Sequence, residues 1–226
     1  MNRWRREGEP DPLAWVLRQS SEATRRNARA SLVWYHRTEL GQSLRVPSVP
    51  QTRHTPRAYT SEELARLQEA ALGVQKRCRP TIDLLYTTGA RVSELVAVAV
   101  EDVTDTHLLL RETKRRPSGL RVERLIPLNR TSRAAVGELC SMPPGRSNIL
   151  VGVCKRLVQD WMVTLQARTG VRCYAHKFRS TFATTMLERG VDVRTVMELM
   201  GHTNLATTLK YLAVSDERLR AAVEVL

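Results

Sequence analysis

The chain carries the stretch "LMGHTNLATTLKY" at Leu199–Tyr211. A helical pattern runs into Gly201-His202 and stops, Thr203 sits where the cap of a following helix belongs, and one Tyr closes that second helix nine residues after the His. Gly suits the left-handed residue after a helix and Thr suits an N-cap, so one helix stops here and the next begins. A single Tyr on an amphipathic helix is ordinarily a filler of core or surface. Whether Tyr211 does chemistry depends on what the rest of the chain brings to it.

Three fragments further upstream bear on that question. "HKFRSTFATTML" (176–187) places His176 and Arg179 on one helical face, where two cationic groups repel unless an anion lies between them. "TTGARVSEL" (87–95) ends a helix at Gly89 and starts the next at Arg91, where free backbone N–H groups favour an anion. Between them, "HLLLRET" (107–113) and "RVERLIPL" (121–128) are apolar runs flanking Lys114, Arg115, Arg116 and the turn formers Pro117, Ser118 and Gly119. That pattern predicts a β-hairpin with a basic tip.

The 226 residues are 42% hydrophobic, enough for one full domain with a real core and a smaller appendage. Thr60 with Glu63 reads as a capping box, and the pattern is dense and globular from residue 57 onward. Helices are expected at 61–73, 80–88, 93–98, 131–140, 148–168, 176–189, 192–200, 203–213 and 215–225. With the hairpin at 107–128, the expected class is mainly α with a small antiparallel β-sheet (α+β). Residues 1–41 read as a short helical arm of two helices, begun by Asp11-Pro12 and by Ser21 and ended by Gly41. Residues 42–56 form a basic, Pro-rich linker.

Lys and Arg outnumber Asp and Glu by 36 to 23, a net charge of +13 that calls for a polyanionic partner, nucleic acid first. Arginine dominates, and its planar fork binds phosphate oxygens in pairs. The candidate DNA contacts are Arg25, Arg26 and Arg29 on one side of the second helix, opposite Ala28, Leu32 and Tyr35, then Arg45, Arg53 and Arg57 in and beside the linker, and Arg115 and Arg116 at the hairpin tip. Cys78, Cys140, Cys154 and Cys173 form no closely spaced pair and follow no signal peptide, so they read as reduced, buried thiols without zinc. No apolar run approaches the roughly 20 residues of a membrane span, which predicts a soluble cytoplasmic protein.

Together, Arg91 in "TGARVSEL", Lys114 on a hairpin, His176 and Arg179 in a His-x-x-Arg box, Gly201-His202 and a Tyr nine residues on resemble the motif set of the tyrosine recombinase, or phage integrase, family. The resemblance covers residues 57–226. It implies a catalytic domain in which Tyr211 attacks a scissile DNA phosphate and holds it as a 3′-phosphotyrosyl ester, so strands rejoin without ATP, metal or other cofactor. Tyr needs help in that role, since with a pKa of about 10 only roughly one molecule in a thousand is ionised at neutral pH. Arg91 and Arg179 are implied to clamp the non-bridging oxygens, His202 to hydrogen-bond the phosphate, His176 to take the Tyr proton, and Lys114 to protonate the leaving 5′ oxygen. Glu94 matches an acidic position that supports the site. Taken alone, His176 reads as a structural histidine and Glu94 as a carboxylate on a helix surface.

Family members precede this domain with a longer helical core-binding region, and residues 20–41 resemble its last part, as in the compact integrases of some temperate phages. The implied partners are double-stranded DNA attachment sites, three further copies in a homotetramer on DNA with a free monomer off it, and an accessory directionality protein, all in a bacterial host's cytoplasm. A shortened clamp implies modest, salt-sensitive DNA affinity. The tail "SDERLRAAVEVL" (215–226) carries Leu219, Ala222 and Val223 at helical spacing, and in the family such a tail packs on a neighbouring protomer. A catalytically silent DNA-binding protein of the same fold and a type IB topoisomerase-like relaxation activity stand as alternatives.

Overall fold

A computed structural model describes residues 11–49, 57–113, 123–143, 148–202, 205–209 and 211, and the helix caps legible in the sequence start many of its elements. The chain divides into two compact units, Met1–His54 and Thr55–Leu226. In the first, the Asp11 side chain accepts from Leu13 N at 2.9 Å and Pro12 opens α1 (Pro12–Leu17). Ser21 caps α2 (Glu22–Glu39) through Thr24 N at 3.1 Å. Trp15 and Val16 of α1 meet Ala28 and Leu32 of α2 in a small core. Arg25 Nε donates to Gln19 O at 3.0 Å and Arg29 Nε to Val46 O at 2.9 Å, whereas Arg45 is exposed.

In the second unit, Thr60 and Glu63 form the reciprocal cap that starts α3 (Ser61–Leu72). The order continues through α4 (Cys78–Thr88), the single turn α5 (Val92–Leu95), a 3-10 turn at Val100–Asp102, β1 (His107–Arg111), β2 (Glu123–Pro127), α6 (Arg130–Ser141), α7 (Lys155–Thr169), α8 (Ala175–Glu188), α9 (Val193–Met200) and α10 (Leu205–Leu209). The strands pair antiparallel with His107 opposite Pro127 and Arg111 opposite Glu123. The architecture is mainly helical with a small antiparallel sheet.

Leu67, Ile82, Leu85, Leu108, Leu165 and Phe178 are fully shielded in the main core, and each contributes roughly 1.5–3 kcal/mol of burial. A second cluster joins Phe182, Ala183 and Leu187 of α8, Val196 and Met200 of α9, and Tyr211. Tyr211 is 6% exposed, so the candidate nucleophile is seated in packed side chains. Among the described residues, no helix is long and apolar enough to cross a membrane.

The helix expected at 148–168 begins only at Lys155, because 148–150 runs beside 98–100: Val100 N donates to Asn148 O at 3.0 Å and Leu150 N to Val98 O at 2.9 Å. Asn148 (φ 59°) and Gly152 (φ 68°) are left-handed, which an α-helix cannot accommodate in sequence. The helix expected at 93–98 is the one turn of α5, and within the described part of 203–213 only α10 is helical, with Tyr211 in the turn after it. Cys78 and Cys173 are buried, but Cys140 and Cys154 are exposed. Lys114, Arg115 and Arg116, Arg53, Thr203 and the tail 215–226 lie outside the described residues.

Candidate active site

The end of α9 organises the site. A helix leaves its last four carbonyls without helical partners, and here all four have found others. Met197 O accepts from His202 N at 3.0 Å and Glu198 O from Gly201 N at 3.0 Å, which the left-handed Gly201 (φ 63°) makes possible. Leu199 O accepts from Arg124 Nε at 3.0 Å, and Met200 O accepts from an Arg179 Nη. Two backbone amides and two guanidinium groups thus hold the corner that carries His202.

Arg179 is 1% exposed, and its other Nη donates to Gly89 O, the residue that ends α4. The guanidinium therefore sits at the carbonyl ends of two helices, where their dipoles favour positive charge and offset some of the cost of burial. Burial first, and then the nearby charge of Arg91, pull its pKa down to about 10, so it remains a cation at neutral pH. Gly89 is left-handed (φ 60°), and a Cβ there would lie 2.5 Å from the Phe182 ring. Both its conformation and the close approach of α8 require glycine.

Arg91 precedes α5, and its Nη1 lies 2.6 Å from Glu94 Oε1 while its backbone N donates to Glu94 Oε2 at 2.9 Å. Arg124 Nη2 donates to the same carboxylate at 2.6 Å. Glu94 is 1% exposed, buried between two guanidinium groups rather than on a helix surface. Burial alone would raise its pKa, but hydrogen bonds from Arg124 and Arg91 hold it below the ordinary carboxylate value. The Arg91 side chain stays 37% exposed, so Glu94 orients a guanidinium that keeps an open side for an anion.

His176 and Arg179 lie in the first turns of α8. Burial, then Arg179 and Arg91, lower the pKa of His176, which leaves it neutral and able to accept a proton at neutral pH. His202 is pulled down to about 4 by burial, then by Arg179, Arg91, Arg124 and His176. Its ring stacks on Tyr211, with centroids 6.5 Å apart and planes 14° from parallel, and its Nδ1 lies 2.8 Å from Thr208 Oγ1. Arg91, His176, Arg179, His202 and Tyr211 are thereby gathered in one electrostatic neighbourhood, rich in cationic and neutral donors and suited to an anion with a hydroxyl nucleophile beside it.

Arg57, expected on DNA, has its Nη2 3.5 Å from Glu63 and is 78% exposed. Lys177, inside the His-x-x-Arg box, is turned away to the Tyr59 ring at 4.0 Å and to Glu63 at 3.6 Å. Among the described residues, no three His, Cys, Asp or Glu side chains gather as metal ligands would. Sequence reading missed Arg124 and Thr208. Arg124 left a signal, because on β2 it shares the inward register with buried Ile126, and an inward Arg on a strand needs a buried partner. Thr208 left none, since a Thr beside another Thr on a short helix says nothing about direction.

The family model described as "Phage integrase family" matches residues 57–218. Tyrosine recombinase XerA of Thermococcus kodakarensis is 34% identical over 193 residues, covering 81% of this chain and 66% of the relative. Tyrosine recombinase XerD of Corynebacterium glutamicum is 33% identical over 188 residues, covering 74% of this chain and 60% of the relative. This chain therefore spans two thirds or less of the length of either. The Tn1549 transposon integrase, solved in complex with circular intermediate DNA, shares the fold with a TM-score of 0.73 at 21% identity, over 95% of this chain and 84% of that one.

Proposed function

This chain belongs to the phage integrase family of tyrosine recombinases, and we propose that it breaks and rejoins DNA strands at specific sites through Tyr211. Tyr211 Oη attacks the scissile phosphorus, the new O–P bond forms as the bond to the 5′ oxygen breaks, and the strand is held as a 3′-phosphotyrosyl ester. His176 accepts the phenolic proton and Lys114 supplies one to the departing 5′ oxygen. Arg91 and Arg179 hold the non-bridging oxygens as charge builds on them, and His202 donates a further hydrogen bond. Glu94 positions Arg91. Attack by the 5′ hydroxyl of a partner strand reverses the step, so the energy of the broken bond is kept in the ester.

The observation that carries this reading is the placement of His202 against the Tyr211 ring, within the field of Arg91 and Arg179. The DNA-bound state of structural neighbours supports double-stranded DNA as the partner. Strand exchange between two sites needs four nucleophiles, which favours a homotetramer assembled on paired sites.

The test mixes the protein with sheared DNA from its host and from the element that encodes it, quenches with SDS, and sequences the DNA bound covalently to protein, beside Tyr211→Phe. Adducts in wild type alone are expected, and their ends identify the cleavage site. Adducts in both would move the nucleophile to another residue. Adducts in neither would leave a silent DNA-binding protein. Closed-circular substrate carrying the recovered site then separates recombinant products from simple relaxation.

A further inference from the structure

We infer that Thr208 is a positioning residue that sets the tautomer of His202, so that the ring presents an N–H to the scissile phosphate. This rests on the reading of the site as a phosphodiester-cleaving centre. The Thr208 side chain is fully buried, its Oγ1 lies 2.8 Å from His202 Nδ1, and its carbonyl accepts from Tyr211 N at 3.0 Å. One residue thereby ties the histidine ring and the nucleophile's backbone together.

A neutral imidazole has one N–H, and a hydroxyl can either give or take a hydrogen bond. Were Nδ1 to carry the proton, Nε2 would be a lone pair, and a lone pair repels a phosphate oxygen. With the Thr208 hydroxyl donating to Nδ1, the proton sits on Nε2 and the ring becomes a donor to the anion. The choice matters because His202 is neutral at working pH: burial and the charges of Arg179, Arg91 and Arg124 disfavour the doubly protonated ring that would donate from either side. A flip of the ring would carry Nδ1 away from Thr208 Oγ1, 2.8 Å from it, so the same hydrogen bond also fixes which edge of the ring faces the hydroxyl.

The tautomer is read directly by long-range 1H–15N correlation spectra of protein labelled with 15N-histidine, with the His202 signals assigned by their loss in His202→Gln. The expected wild-type pattern is a protonated Nε2 and an unprotonated Nδ1. Thr208→Val, which keeps the shape but removes the hydroxyl, should shift protonation towards Nδ1, and Thr208→Ser should restore the wild-type pattern. On the DNA recovered as wild-type adducts, Thr208→Val should form adducts about tenfold more slowly with unchanged DNA affinity, and Thr208→Ser should recover the rate. A wild-type Nδ1–H pattern, a Thr208→Val spectrum identical to wild type, or an unchanged adduct rate in Thr208→Val overturns the inference. If wild type forms no adduct at all, the proposed reaction fails, while the spectra still decide the tautomer.

Discussion

At the residue scale, the site depends on how few side chains carry how much charge. Glu94 is the anion among Arg91 and Arg124, and replacing it by Gln leaves a buried guanidinium uncompensated. Glu94→Gln is expected to cost about 3 kcal/mol at neutral pH, mostly through Arg124, because the share of half-exposed Arg91 is screened by water. The pH dependence has a definite sign. The folded carboxyl titrates below its ordinary value of 4.5, so its stabilisation is fully present above that pH and is lost as pH falls through the folded value. Urea denaturation of wild type and variant should therefore show a gap that closes below about pH 4.5; a gap that stays constant to pH 3 would show that the ionised carboxylate is not its source. Glu94 also marks the limit of reading residues singly. Its spacing from Arg91 is visible in the sequence, but its burial depends on Arg124, 30 positions away on β2.

At the scale of elements, glycines decide how close helices come. Gly89 and Gly170 both end helices in left-handed geometry, with φ 60° and 70°, yet a Cβ at Gly170 meets nothing while one at Gly89 meets Phe182. Gly170→Ala is expected to cost about 1–2 kcal/mol, the conformational penalty alone. Gly89→Ala adds overpacking and should cost about 2–5 kcal/mol. Denaturation of both variants under one set of conditions checks the comparison, and equal losses would remove close helix approach as the reason for Gly89. The caps at Asp11, Ser21 and Thr60 were legible because an N-cap is a local affair of three or four residues. The start of the segment 148–154 was not: residues 148–150 pair with 98–100, Ala99 opposite Ile149 across 50 positions, and no local pattern announces it.

At the scale of the whole molecule, a net charge of +13 would make the proposed DNA binding an exchange of counterions for arginines. If 6–10 phosphates are neutralised, affinity for the recovered site should fall by about 10³–10⁵ between 50 and 200 mM salt. A flat response in a gel-shift salt series would contradict a phosphate-dominated interface. The family, the helical class with its antiparallel strand pair, and the identities of Arg91, Lys114, His176, Arg179, His202 and Tyr211 as candidates are legible in the sequence, because each rests on a short motif whose spacing is a local property of the chain. How the described members of that set are held depends on contacts made in the folded chain. Arg179 ends on the carbonyls of two helices, Arg124 reaches from the sheet to Glu94 and Leu199, and Thr208 meets His202. A buried charge or a neutral imidazole takes its properties from groups distant in sequence, and only folding brings those groups into range.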